Sequence, residues 1–372
     1  MAQVFLYGTL LDLELLAIVL GRKPVVSPAV LPDCKSAWVD GRDFPMIYRL
    51  KGAQAQGVLL EASADDVARM DFYEGPFSYD LELVQVLCDG ALIEAQTYFP
   101  TAGQYEHGAD WDIADWTHRH GALRKIAASE IMSRFGVLTA DQVDQRYPVI
   151  LARAQQQLNA KQFPSSRELR VGNDAQGVDI KRQTVEHDNW FVLEEIDLTH
   201  PRYDGSQSRE VKRAVFVQAD AVTVLPYDPV HDTVMLIEQF RAGAFRRGDP
   251  HPWSLEVIAG RIDGGETSEQ AAHREAFEET GLTIRELVRA HSYYASPGAT
   301  TEHLTSFIGL TDLSGVMGGT SGLETEDEDI RSIVVPFERL MQAVESGEAE
   351  NAPLLISALW LAANRSRLIS NG

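Results

Sequence analysis

Cysteine is nearly missing from this chain: Cys34 and Cys88 are the only two in 372 residues. The two could pair, but two thiols in a chain this size read more simply as packed residues than as a disulfide framework. Positive charge is also short, with 33 Lys and Arg against 55 Asp and Glu and a formal net charge of -22. A nucleic acid is therefore not expected as partner, because that affinity comes from clustered Lys and Arg neutralising phosphates. Small anionic ligands stay open, through a metal ion or local arginines. Long apolar runs are lacking too. The opening MAQVFLYGTLLDLELLAIVLGR has no basic segment before its apolar stretch and is interrupted by Asp12 and Glu14, so neither signal peptide nor anchor is expected. No run reaches the length of a membrane span. The expected address is the cytoplasm, with no membrane partner. With 44% apolar residues, only 16 prolines and no low-complexity tract or solenoid repeat, the composition is that of a folded chain too long for one ordinary core.

The pattern predicts a mixed α/β multidomain protein. Residues 1–103 read as a compact unit of short strands with helices. Strand-like runs lie at Gln3 to Tyr7, Gly57 to Glu61, Leu81 to Val86 and Ala95 to Phe99, and a helix runs from Ser63, its N-cap, to Phe72. Residues 104–168 switch to Ala, Gln and Leu at helical spacing, as in IAASEIMSRF and VILARAQQQLNA, and predict a helical connector. QFPSSREL marks a boundary. Residues 169–372 begin again with strands, WFVLEEIDL, VKRAVFVQ, AVTVLPYD and TVMLIEQF, and divide into N-terminal strands over 169–222 and a catalytic core over 223–372. Helices are predicted at Ser268 to Thr280 and roughly Leu354 to Arg367.

The chemistry is concentrated in GRIDGGETSEQAAHREAFEETGL. Gly260 is followed after five residues by Glu266, after seven more by Arg274, and then by Glu275, Glu278, Glu279 and Gly281. Thr267 or Ser268 can cap the helix, with Gln270 completing a capping box, and Gly281 stops it. Glu275, Glu278 and Glu279 fall at i, i+3 and i+4 on one face. Two like charges ~4 Å apart near a surface repel by about 4 kcal/mol, so the face calls for a hard divalent cation, and an all-oxygen set without clustered His or Cys points to magnesium or manganese. Arg274, one turn before Glu278, can pair with a carboxylate and hold it.

This segment is identified as a Nudix box, and the chain around it resembles Nudix hydrolases, which implies an α/β/α sandwich for the last unit. The resemblance implies Glu275 and Glu279 as main metal ligands with the Ala259 carbonyl, Glu278 as a further ligand or supporting group, and a magnesium-assisted attack of water on a diphosphate. Sixteen residues after Gly281 comes Pro297, which is either a simple Ser-Pro-Gly turn or the proline mark of the ADP-ribose pyrophosphatase subfamily. LIEQFRAGAF, WSLEVIAG, GLETEDEDIRSIVV and NAPLLISALWLA resemble bacterial enzymes of that subfamily in order and spacing. The acidic run Glu324 to Asp329 reads by itself as a solvated loop; the resemblance implies a loop glutamate acting as general base or extra ligand, Glu326 being favoured as base and Glu328 as the one touching metal. Arg213, Arg241 and Trp190 match substrate-contacting positions, with Phe191 expected in the core and Arg246 and Arg247 in a solvated loop. A homodimer through this unit, acting on a small nucleoside-diphosphate sugar, is implied as well. ADP-ribose, GDP-mannose and NADH stay unranked by sequence.

FLYGTLL and MDFYEGPFSYDLELVQV resemble the gamma-glutamylcyclotransferase-like fold, a mixed β-barrel with helices, over about the first hundred residues. That implies Tyr7, Gly8, Thr9 and Leu10 at a substrate carboxylate and Glu74 as a proton shuttle, against the reading of a structural turn on an inactive scaffold. The two-part arrangement also resembles proteins named for tellurite resistance. Two alternatives to the diphosphatase follow: cyclotransferase-type activity in the first unit, or a nucleotide sensor without turnover.

Overall fold

The computed structural model describes residues 1–75, 79–162, 168–170, 174–189, 191–322 and 329–370. The chain divides into two compact units, Met1–Pro164 and Ser165–Gly372. Among the described residues no helix is long and apolar enough to cross a membrane.

The first unit runs β1 (Ala2–Leu6), α1 (Leu13–Leu20), β2 (Val26–Val39), β3 (Pro45–Ala62), α2 (Ala64–Glu74), β4 (Tyr79–Cys88), β5 (Ala91–Pro100), β6 (His107–Asp110), α3 (Ile113–Trp116), α4 (Ala122–Met132) and α5 (Ala140–Gln162). The strands follow the order β3-β1-β5-β4-β2, and β2 also pairs with β3, closing a five-stranded mixed barrel with β6 added on β2. Inward residues such as Phe5, Leu31, Ile47 and Val86 fill the barrel, with Cys34 and Cys88 free and buried among them. The opposite faces of β1 and β3 give Val4, Leu6 and Leu60 to a second core shared with the helices. That core takes Trp116, Leu123, Ile131, Val143 and Ile150, so the segment expected as a separate connector is one wall of the first unit.

Local signals explain where these elements begin. Ser63 caps α2 in a box with Asp66, and Asp66, 3% exposed, also receives both Nε and Nη2 of Arg22 at 2.9 and 2.6 Å. Strand β3 is far longer than the Gly57 to Glu61 run predicted, and β2 escaped prediction. Both are long arms in which exposed polar positions break the apolar alternation and whose pairing is set by barrel closure.

The second unit runs β7 (Asp179–Asp188), β8 (Val192–Thr199), β9 (Val211–Val217), β10 (Ala221–Asp228), β11 (Thr233–Phe240), α6 (Ala242–Arg247), β12 (Trp253–Glu256), β13 (Ile258–Arg261), α7 (Ser268–Thr280), β14 (Glu286–Tyr294), β15 (His303–Leu310), β16 (Gly319–Ser321), β17 (Ile330–Pro336), α8 (Phe337–Ser346) and α9 (Ala352–Ser370). Strands β7-β8-β9 form a separate antiparallel sheet, while a mixed sheet takes the order β14-β15-β10-β11-β17-β16, with β12 on β11 and β13 on β10. Its central strands are apolar on both faces because both are covered. Val222, Val224, Met235 and Ile237 pack under α7; Leu225, Tyr227, Val234 and Leu236, one residue out of phase, pack under α8 and α9. The result is the expected α/β/α sandwich. Arg246 and Arg247 end α6 instead of lying in a loop, and Phe191 is 45% exposed, not core; Val192 beside it takes the buried place.

Replacing Asp66 by Asn is expected to destabilise the first unit by about 2 kcal/mol near pH 7. The Arg22 hydrogen bonds hold the Asp66 carboxyl down to about 2, so its ionised form contributes above roughly pH 4 and is lost as pH falls through the folded value. Urea midpoints of the two proteins should therefore converge between pH 4 and 2 (roughly); a gap that persists at the acid end contradicts the assignment.

Candidate functional sites

The box helix α7 starts on Thr267, whose side chain accepts from Gln270 N while the Gln270 side chain accepts from Thr267 N. It stops at Gly281, where φ is 70°, a left-handed conformation that favours glycine. The predicted limits, cap and stop are those found. Strand β13 passes over the helix so closely that a Cβ on Gly260 would lie 1.9 Å from the Glu275 carboxyl. Glycine is thus required at 260 by the carboxylate it admits.

Arg274 collects the neighbouring acids. Its Nε and Nη2 donate to the two oxygens of Glu266 at 3.0 and 2.8 Å. Nη1 donates to Glu275 at 2.6 Å and to Glu278 at 3.0 Å, and Nη2 also reaches the Arg261 carbonyl at 2.9 Å. Burial pushes the Glu266 carboxyl up, but Arg274 and the Asp263 N–H outweigh it and leave it below the ordinary range. Its hydrogen bonds to Glu266 raise Arg274 further above its already high value. Repulsion on the helix face, for which a cation was the expected remedy, is thus already relieved for Glu275 and Glu278 by a guanidinium. Glu279 is 3% exposed, and its carbonyl accepts from Ser321 Oγ at the end of β16. Ser321 pairs with Ile330 of β17, so the β16–β17 pair that flanks residues 323–328 in sequence stands against the last turn of the box helix.

The remaining expected residues spread around this centre. Ala259 lies on β13 opposite Thr223. Arg241 grips Glu256 with Nε and Nη2 at 2.9 and 2.7 Å; Glu256, 4% exposed, carries no sequence signal apart from its place just before the β13 strand. Arg213 is exposed on β9, its Nη1 donating to the Lys212 carbonyl at 2.8 Å. Pro297 sits in a turn whose Ser296 carbonyl accepts from Ala299 and Thr300 N–H at 2.9 and 3.0 Å, and the following residues hydrogen-bond to Phe216 of β9, tying the small sheet to the large one. Trp190, Glu326 and Glu328 lie outside the described residues. Among the described residues, the one trio of potential ligand atoms within 4.8 Å of one another is Asp228, His231 and Asp312. Asp228 there already accepts from the N–H groups of Val230, His231 and Leu313, a structural cap at the end of β10.

The first unit holds an open cavity lined by Tyr7, Gly8, Thr9, Leu10 and Glu74 among others. The chain leaves β1, makes a tight 3-10 turn over Thr9–Leu11 and enters α1 on the Asp12 cap. Tyr7 and Leu10 are buried, and Tyr7 Oη donates to the Tyr98 carbonyl at 2.8 Å. Glu74, half-buried at the end of α2, is pushed up to about 7 by burial. Sequence reasoning missed Asp43 and Arg124, an ion pair that also lines this cavity.

Glu74→Gln is expected to stabilise the first unit above pH 7 by on the order of 2 kcal/mol. Burial raises the folded carboxyl from 4.5 to about 7, so folding disfavours its charged form and the parent chain loses stability as pH rises through that window. Urea denaturation of both proteins should show the gap opening between those values and absent below the lower one. An equal gap at all pH values contradicts the account.

Residues 4–118 match the family described as Gamma-glutamyl cyclotransferase, AIG2-like, and residues 217–356 match the NUDIX domain. The ADP-ribose pyrophosphatase of Escherichia coli (strain K12) is 40% identical over 182 residues, 49% of this chain and 86% of that protein. The ADP-ribose pyrophosphatase of Haemophilus influenzae is 35% identical over 195 residues, 52% of this chain and 89% of its own. The GDP-mannose pyrophosphatase of Enterobacter sp. (strain 638) is 32% identical over 184 residues, 50% and 94% of the two chains. A box that folds as its spacing demands, on a sandwich that these relatives match along most of their length, places the chain among the NUDIX hydrolases, with an AIG2-like gamma-glutamyl cyclotransferase domain preceding the hydrolase domain.

Proposed function

We propose that the second unit hydrolyses the diphosphate of ADP-ribose, or of a close nucleoside-diphosphate sugar, to AMP and ribose 5-phosphate or their counterparts, with magnesium as cofactor and manganese as substitute. The observation that carries this reading is the Arg274 clamp over the close passage of Gly260 on Glu275. The higher identity to pyrophosphatases named for ADP-ribose than to one named for GDP-mannose supports the first substrate.

The donor set fits a hard divalent cation: the carboxylates of Glu275 and Glu279 with the Ala259 carbonyl, all oxygen, in a cradle that a side chain at 260 would fill. Glu278 stands at its edge, steadied by Arg274. Bound there, the cation supplies positive charge to the diphosphate oxygens and makes water a better nucleophile. The protein's own part is to position. Glu326 would take the proton of the attacking water and Glu328 would serve as a further metal ligand, both in the acidic run that follows Ser321, whose hydroxyl donates to the Glu279 carbonyl. The water oxygen bonds to phosphorus as the bridging P–O bond breaks. Arg213, Arg241 and Trp190 contact the phosphates, terminal ribose and base, and the exposed Phe191 just before β8 and Phe216 on β9 support pairing with a second copy of the chain. One observation favours a second activity: Glu74, raised to about 7 beside the Tyr7–Leu10 turn, has the poise of a proton shuttle for cyclotransferase-type chemistry.

The full chain with magnesium should release phosphate monoesters from ADP-ribose, read by a coupled phosphatase assay, and EDTA should abolish release. Glu279→Gln should lower kcat on the order of a thousandfold, and Gly260→Ala, which must displace the Glu275 carboxyl, about a hundredfold with the fold intact by circular dichroism. Full turnover by Glu279→Gln, or none by the unaltered chain on any nucleoside-diphosphate sugar, contradicts the proposal.

A further inference from the structure

The matched amino-terminal family region ends at residue 118, yet the cavity is completed by a residue beyond it. Arg124, on α4, lines the cavity and is only 8% exposed. Its Nη2 is engaged by the Asp43 carboxylate, while its Nη1 is buried without a hydrogen-bond partner among the described residues. Asp43 is held in turn, since its carbonyl accepts the Trp116 indole N–H at 2.9 Å. The guanidinium lies 5.4 Å from the centre of the Tyr147 ring, which fixes its plane. A charged donor buried without an acceptor is costly, and an arginine held this firmly does not swing out to water to relieve the cost.

We propose that Arg124 is the specificity anchor of this cavity, receiving one oxygen of an anionic group carried by a small organic ligand. Because Asp43 occupies Nη2, the anion takes a single charge-assisted hydrogen bond, not the bidentate fork. The nearby Asp43 charge opposes it, so affinity is modest, with Kd on the order of 0.1–1 mM. Aromatic walls such as Phe44, Tyr79 and Trp116 suit an apolar body behind the anion. The shared chemistry is a carboxylate or a phosphate. The proposal concerns the first unit alone and does not rest on the diphosphatase reading.

Calorimetric titration of the full chain with glutarate, with inorganic phosphate and with neutral glutaramide tests it. At least one anion should bind saturably, glutaramide should bind about tenfold more weakly or less, and the stronger of the two anions identifies the group preferred. Arg124→Gln should weaken the anion at least about tenfold. Since that change strands Asp43, the double change Asp43→Asn with Arg124→Gln serves as the neutral version and should show the same loss with an unaltered circular dichroism spectrum. If neither folds, Arg124→Lys, which keeps the charge but not the fork, decides: at least about a threefold loss is expected. No saturable binding of either anion up to roughly 10 mM, glutaramide binding equal to glutarate, or undiminished anion binding in the folded variants overturns the proposal.

Discussion

One guanidinium organises the chemistry of the second unit. Arg274 spends two donors on Glu266, shares a third between Glu275 and Glu278, and reaches back to the β13 carbonyl of Arg261. Without it, a helix bearing three glutamates on one turn and a half would repel itself and fray. With it, the acids are ordered before any ligand arrives, so that the cation proposed above would meet oxygens already in place, the ordering entropy having been met by folding. The sandwich serves this arrangement: the alternation of β10 and β11 fixes which face α7 covers, and the capping box and Gly281 fix where the carboxylates fall along it.

Much of this was legible because it is local. Thr267, Gln270 and Gly281 act within one helix, and the 3.6-residue period alone puts Glu275, Glu278 and Glu279 on one face. Strands β10 and β11 could be read from continuous apolar runs that are buried on both sides, and β8 and β9 from Val, Leu, Ile and Phe set between turn residues. What escaped depends on distant partners. The Glu256 carboxylate matters because Arg241 finds it across a strand pair, and no pattern announces that. Strands β2 and β3 owe their length to barrel closure, and the helices from Ile113 to Gln162 read as a connector because their apolar faces look alike whether they bridge two units or complete one core. The misplacement of Phe191 has the same origin: beside Val192, alternation decides which is inside, and hydrophobicity alone does not.

The two units use burial in opposite ways. At the box, buried acids are answered by Arg274, and the answer lowers Glu266. In the first unit's cavity no basic group among the described residues answers Glu74, and burial lifts it into the neutral range, while Nη2 of the cavity's own arginine is taken by Asp43. Paired acids suit holding a cation; an acid left near neutrality suits moving a proton. One chain thus carries two differently tuned carboxylate sites, each set by whether an arginine lies within reach.

The central claim is that the clamped glutamates form the cation site. Anomalous scattering from crystals of the full chain soaked in manganese tests it most directly. The account predicts a peak flanked by Glu275, Glu279 and the Ala259 carbonyl, with Arg274 still bound to Glu266. No peak there at saturating manganese, or a peak only at Asp228, His231 and Asp312, would contradict it.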